Sequence, residues 1–194
     1  EGERRAAEAV AAHEGAGLPA DAARAGLLRR LAVAALMNDR PDAASQALAA
    51  ARAIAAGEDA VGVAALDARI GAAIAARAGR VRAADDELAR YSALAARADP
   101  PHRMGHAAVH AVTGRLRLSQ RRIEEAIRSF EAALVAATAA GSRLDRPVIA
   151  AILLGLAEAY QEAGHEEDAA RARNRAAGIL ERIGWARQPP GLWL

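Results

Sequence analysis

A short motif that recurs four times constrains the fold of this chain more than any other feature. The motif usually starts with a turn residue and then Arg or His; three mostly charged or Pro positions and an Ala follow. In three copies a large apolar residue stands four positions after the Ala, whereas the fourth copy has Arg173 there. The motif alanines are Ala44, Ala84, Ala126 and Ala169, at spacings of 40, 42 and 43 residues. Such regular spacing predicts a repeat architecture.

Segments rich in helix-favouring residues precede and follow each motif. The preceding segments are 22–38, 61–78, 104–120 and 148–163, and the following ones are 43–56, 83–98, 124–140 and 166–183. Helix-stopping residues stand where the second helix of each pair should end, at Gly57, Pro100 with Pro101, Gly141 and Gly184. The sequence therefore predicts an all-α chain of eight helices in four antiparallel hairpins.

The composition favours close packing of helix against helix. The chain is 53% apolar but only 3% aromatic, so its interior must be built from Ala, Leu, Val and Ile. Ala is the best helix former and lets two helices approach closely. We therefore expect stacked helices and no sheet.

The hairpins resemble the tetratricopeptide repeat family. The segment 156–160, followed by Gly164 and Ala169, is similar to the first helix and turn of that family, and so is Gly114 with Ala126 and Phe130. The usual period of the family is about 34 residues. The longer period here resembles the extended repeats of MalT-like and AfsR-like bacterial signal-transducing transcription regulators. The resemblance implies a right-handed superhelical solenoid.

Six segments follow from this repeat. We expect residues 1–13 to be the second helix of a truncated upstream repeat. Residues 14–57, 58–98, 99–141 and 142–184 are the predicted repeats 1 to 4. The last segment, 185–194, breaks the period and carries both tryptophans, so we expect a terminal cap or tail.

Charge and composition exclude several classes of function. The 26 basic residues face 24 acidic ones, and the resulting net charge of +2 does not favour direct binding of nucleic acid. The absence of Cys excludes disulfides and thiolate metal sites. We find neither a signal peptide nor an apolar stretch long enough for a membrane span, so we expect a cytoplasmic protein.

Few residues suggest catalysis or metal binding. His102, His106 and His110 are four positions apart and share one helix face, a spacing that metals can use. The only nearby carboxylate, Asp99, lies before the Pro100–Pro101 break, and Gly105 weakens the helix, so we expect an incidental or packed face and no metal site. We find no phosphate-binding loop and no nucleophile elbow. The sequence therefore predicts no enzyme activity and no cofactor.

The family resemblance implies that the first helix of each pair lines a concave, ligand-binding face. Transferred to this sequence, that face consists of Arg29, Val33, Leu36, Met37, Leu66, Arg69, Arg77, Arg115, Leu118, Leu154, Glu158, Gln161 and Glu162. The planar guanidinium of Arg suits carboxylates, so the four arginines are candidates to hold an acidic peptide or an anionic metabolite. The alternative is that they are solvated or pair with acidic residues of neighbouring helices.

Three functions remain open at this point. The first is a scaffold that binds a protein or peptide, and one candidate partner is another domain of its parent regulator. The second is a sensor that binds a small-molecule effector. The third is self-association through the apolar tail, with Trp185, Leu192 and Trp193 as its contact residues.

Overall fold

The computed structural model of the chain describes residues 1–55, 61–95, 97, 103–139, 146–182 and 184. Within these ranges every regular element is an α-helix. The helices are α1 (Gly2–Gly15), α2 (Ala22–Met37), α3 (Pro41–Ile54), α4 (Val61–Arg77), α5 (Val81–Ala95), α6 (Arg103–Ser119), α7 (Ile123–Ala139), α8 (Arg146–Glu162) and α9 (Glu166–Arg182). The eight predicted helices are present, and the segment predicted to precede them is helical as well. The all-α prediction is confirmed.

The chain forms two compact units, Glu1–Ala98 and Asp99–Leu194. In the first unit α2 packs on α3 and α4 packs on α5, with further contacts of α1 with α2 and of α3 with α4. In the second unit α6 packs on α7 and α8 packs on α9, and α7 also contacts α8. Adjacent helices are thus packed in pairs in each unit, as the repeat predicts.

The four motif turns share one backbone geometry. The residue five positions before each motif Ala has a positive φ, with values of 60° at Asp39, 69° at Gly79, 60° at Arg121 and 78° at Gly164. In the first turn the amide of Arg40 donates to the carbonyl of Ala35 (2.9 Å), and that of Asp39 donates to the carbonyl of Leu36 (3.1 Å). The other three turns repeat this pair of hydrogen bonds. The pair defines a Schellman motif, which ends the first helix of each hairpin.

The motif alanines mark the close contact between the two helices of a hairpin. Ala44, Ala84, Ala126 and Ala169 are each 0% exposed. The amide of each donates to the carbonyl four residues earlier at 3.0 Å, which is the first backbone bond of the second helix. A residue with a methyl side chain therefore stands wherever the second helix starts against the first.

Each unit has its own apolar core. In the first unit α1, α2 and α3 meet at Val10, Leu28 and Ala51. In the second unit the fully buried Phe130 lies in a cluster drawn from α6, α7 and α8. Gly114 of α6 makes room for that ring, because a Cβ built at Gly114 would lie 2.9 Å from three of its carbon atoms.

Candidate functional site

Arg29 of the predicted concave face forms a buried ion pair. Its Nε and Nη2 donate to Oδ1 and Oδ2 of Asp67 at 2.6 and 3.0 Å, so α2 and α4 are joined by a bidentate contact. The two side chains are only 9% and 6% exposed. Arg29 is therefore a structural contact between neighbouring hairpins, and its charge is already neutralised.

Arg77 is also paired, but at the surface. Its Nε donates to Oδ1 of Asp39 at 2.7 Å, which joins the last turn of α4 to the turn after α2. Asp39 is 66% exposed, so solvent screens this ion pair and a ligand can displace it at little cost.

Two arginines of the second unit are paired in the same manner. Arg115 of α6 donates to Glu158 of α8, and Arg121 of the following turn donates to Glu162 at the end of α8. Arg121 and Asp39 occupy the same motif position. Asp39 is acidic and pairs with the basic Arg77, whereas Arg121 is basic and pairs with the acidic Glu162. The predicted acidic end of the face, Glu158 and Glu162, thus has basic partners.

The uncharged residues of the predicted face differ in their burial. Leu36 and Leu118 are buried, at 4% and 8% exposure, so their side chains belong to the interior. Four are half-buried: Val33, Met37, Leu66 and Leu154. Leu154 packs against the apolar cluster of α8 and α9. Gln161 is exposed and accepts a hydrogen bond from Arg173.

Arg69 differs from the other three arginines of the predicted face. It is half-buried on α4, and no carboxylate among the described residues pairs with it. Burial lowers the pKa of its guanidinium, and the neighbouring Tyr91 partly offsets that effect. Burial also raises the pKa of Tyr91, a residue that is only 3% exposed. A partly dehydrated cation without a carboxylate partner attracts an anion.

Asp67 is not a residue of the predicted face, although the sequence carries a signal for its burial. Asp67 is the only acidic residue of α4, and apolar residues surround it in the sequence. An isolated acid in an apolar helix needs a buried partner. That signal indicates a buried ion pair but does not identify Arg29 as the partner.

The histidine run does not assemble into a metal site within the described ranges. No group of three or more His, Cys, Asp or Glu side chains is close enough there to hold a metal ion. Burial lowers the pKa of His110, and the nearby His106 lowers it further. His102 and the predicted self-association residues Trp185, Leu192 and Trp193 lie outside the described residues.

No protein-family model matches the sequence, and no curated protein matches it significantly. Among the described helices, none is both long and apolar enough to cross a membrane.

Proposed function

We propose that this chain is a non-catalytic interaction module of the tetratricopeptide kind. In this proposal its hairpins form a right-handed solenoid, and Arg69 holds an acidic group of a protein or peptide partner. Paired helices, four identical Schellman turns and four fully buried motif alanines support the repeat. The resemblance to bacterial regulators makes another domain of a cytoplasmic signalling protein the first partner to consider.

The observation that carries the proposal is the difference between Arg69 and the other arginines of the predicted face. Arg29, Arg77 and Arg115 each pair with a carboxylate of a neighbouring hairpin, so their charges serve contacts within the chain. Arg69 has no such pair among the described residues. The half-buried Leu66 one turn before it offers an apolar contact for a partner.

An anionic group is the natural ligand of such an arginine. A carboxylate accepts two parallel hydrogen bonds from a guanidinium, and partial burial strengthens these bonds because less water competes. An acidic side chain or a C-terminal carboxylate of a peptide supplies this group. An anionic small molecule would use the same contact, so the experiment must separate the two.

A peptide-display selection against the folded chain tests the proposal. We expect the selected peptides to share a Glu, an Asp or a free C-terminal carboxylate, and calorimetry to show one binding site. Arg69→Gln should weaken binding by a factor of about ten or more, because it removes the guanidinium charge that pairs with the acidic group of the peptide.

Arg30→Gln is the matched control, since Arg30 is an exposed residue of α2. It should leave the affinity unchanged. Equal weakening by both variants would mean that only overall charge matters, which contradicts the proposal. Selection of no peptide, together with an anionic metabolite detected on wild type but not on Arg69→Gln by native mass spectrometry, would favour the effector sensor.

A further inference from the structure

The first unit contains a pocket that Arg69 does not line. The pocket lies between α3 and α5 above α4 and has a volume of about 200 Å³. Each helix contributes residues three or four apart, which is one helical stripe. Its lining includes Ser45, Leu48, Ala49 and Arg52 of α3, Gly71, Ile74 and Ala75 of α4, Arg80 just before α5, and Glu87 of α5.

The second unit shows why this pocket exists. Tyr160 stands nine positions before its motif Ala, where the first unit has Ala75. The Tyr160 hydroxyl donates to Glu131 of α7 at 3.0 Å, and its ring lies 6.0 Å from that of His165. Tyr160 thus spans from α7 to the start of α9. A methyl group in the corresponding place leaves the space between α3 and α5 open.

The floor of the pocket carries an incompletely bonded ion pair. Nη2 of Arg52 donates to the backbone carbonyl of Asp67 at 2.8 Å and lies 2.8 Å from Oε1 of Glu87 in an ion pair. Arg52 Nε and Glu87 Oε2 are shielded from solvent and have no hydrogen-bond partner among the described residues. A buried polar atom without a partner is unfavourable, so a polar ligand that bonds to either atom gains stability from that contact.

Gly71 permits this arrangement. A Cβ at Gly71 would lie 2.8 Å from Glu87 Oε1 and 2.9 Å from Arg52 Nη2. The charged pair therefore sits directly on the backbone of α4, below the pocket, and leaves the space above it free.

Arg80 makes the pocket favour a ligand with a negative charge. Arg52 and Glu87 neutralise each other, whereas no carboxylate among the described residues pairs with the exposed Arg80. The pocket thus has a net charge of about +1, with the Ser45 hydroxyl as a second polar group. Its walls are aliphatic, formed by Leu48 and Ile74.

We propose that this pocket binds a small monocarboxylate with a short aliphatic body. The carboxylate bonds to Arg80 and the hydroxyl of Ser45, and the aliphatic carbons lie against Leu48 and Ile74. Ligand pockets for larger molecules usually measure about 300–1,000 Å³, so a compound of about four to six carbons suits this smaller space. The site is independent of Arg69 and of the peptide proposed above.

Titration of the full chain with sodium butyrate, followed by backbone amide NMR, tests this site. Butyramide is the neutral probe of the same shape, and sodium chloride keeps the ionic strength constant. We expect butyrate to give saturable shifts at Ser45, Gly71 and Arg80, and butyramide to give none. Equal shifts with both probes, or no saturable shift with butyrate, would refute the proposal.

Three variants locate the ligand. Arg80→Gln should weaken butyrate binding about tenfold, because the charged hydrogen bonds are lost. Arg82→Gln is the matched control at an exposed position of α5, and it should bind as wild type does. Ala49→Leu places a larger side chain in the pocket from an exposed rim position and should abolish binding with the fold intact. Wild-type affinity in Ala49→Leu or in Arg80→Gln would overturn the assignment.

Discussion

At the residue scale, the first position of each motif requires a positive φ, and at two of the four motifs its side chain also forms an ion pair. Gly79 and Gly164 meet the positive φ at no steric cost. Asp39 and Arg121 adopt the same backbone at a cost of about 1 kcal/mol. Their side chains pair with Arg77 and Glu162 of the next hairpin, which glycine cannot do. The two departures from a small turn residue therefore have a common structural reason.

Gly114 and Gly71 give a matched test of close packing. Replacing either by Ala gains about 1 kcal/mol of helix propensity. At Gly114 the new methyl group would meet the fully buried Phe130 ring, and overpacking costs about 1–3 kcal/mol or more. At Gly71 it would meet the ends of two flexible, partly exposed side chains, which can move.

We therefore expect Gly114→Ala to lower the free energy of unfolding by about 1–2 kcal/mol. Gly71→Ala should stay within about 1 kcal/mol of wild type. Urea unfolding monitored by circular dichroism measures both. An equal loss at the two sites would show that the Phe130 contact is not what requires Gly114.

At the element scale, helix pairs are joined by ion pairs of different value. The Arg29–Asp67 contact links α2 to α4 in the interior, whereas Arg77–Asp39 links neighbouring hairpins at the surface. Removing one partner of a buried pair leaves an uncompensated charge, but an exposed pair contributes little. The buried Arg29–Asp67 pair should therefore matter more to the free energy of unfolding than the exposed Arg77–Asp39 pair.

Asp67→Ala should accordingly lower the free energy of unfolding by about 3–5 kcal/mol. Asp39→Ala is the surface control and should change it by about 1 kcal/mol or less. The double variant Arg29→Met, Asp67→Leu should recover most of the loss, because it removes both charges. Failure of the double variant to recover would mean that the loss in Asp67→Ala does not come from the uncompensated charge of Arg29.

At the scale of the whole molecule, packing is local. Helices contact their neighbours along the chain, and each of the two units has its own core. In a repeat array, the architecture proposed for this chain, stability is a sum over hairpins and their nearest-neighbour contacts. A defect should therefore have local consequences.

Hydrogen exchange on Asp67→Ala checks this expectation. Amides of α2 to α5 should exchange at least about tenfold faster than in wild type. Those of α8 and α9 should keep their protection, because their described contacts are with α6, α7 and each other. A uniform loss along the chain would show that it unfolds as one cooperative body.

The sequence by itself determined the helices, their turns and their pairing in hairpins. These features follow from local signals: helix-favouring residues, stop residues such as Gly184, and a motif Ala too small to hold the helices apart. Only the tertiary structure decided which charged side chains form ion pairs within the chain. Arg29 and Arg69 stand on first helices of adjacent repeats, and nothing in their spacing separates them. A long Arg side chain has many rotamers, so only the packed neighbours decide that Arg29 meets Asp67 while Arg69 meets no described carboxylate. The pocket above Gly71 was equally hidden, because an empty space depends on three helices at once.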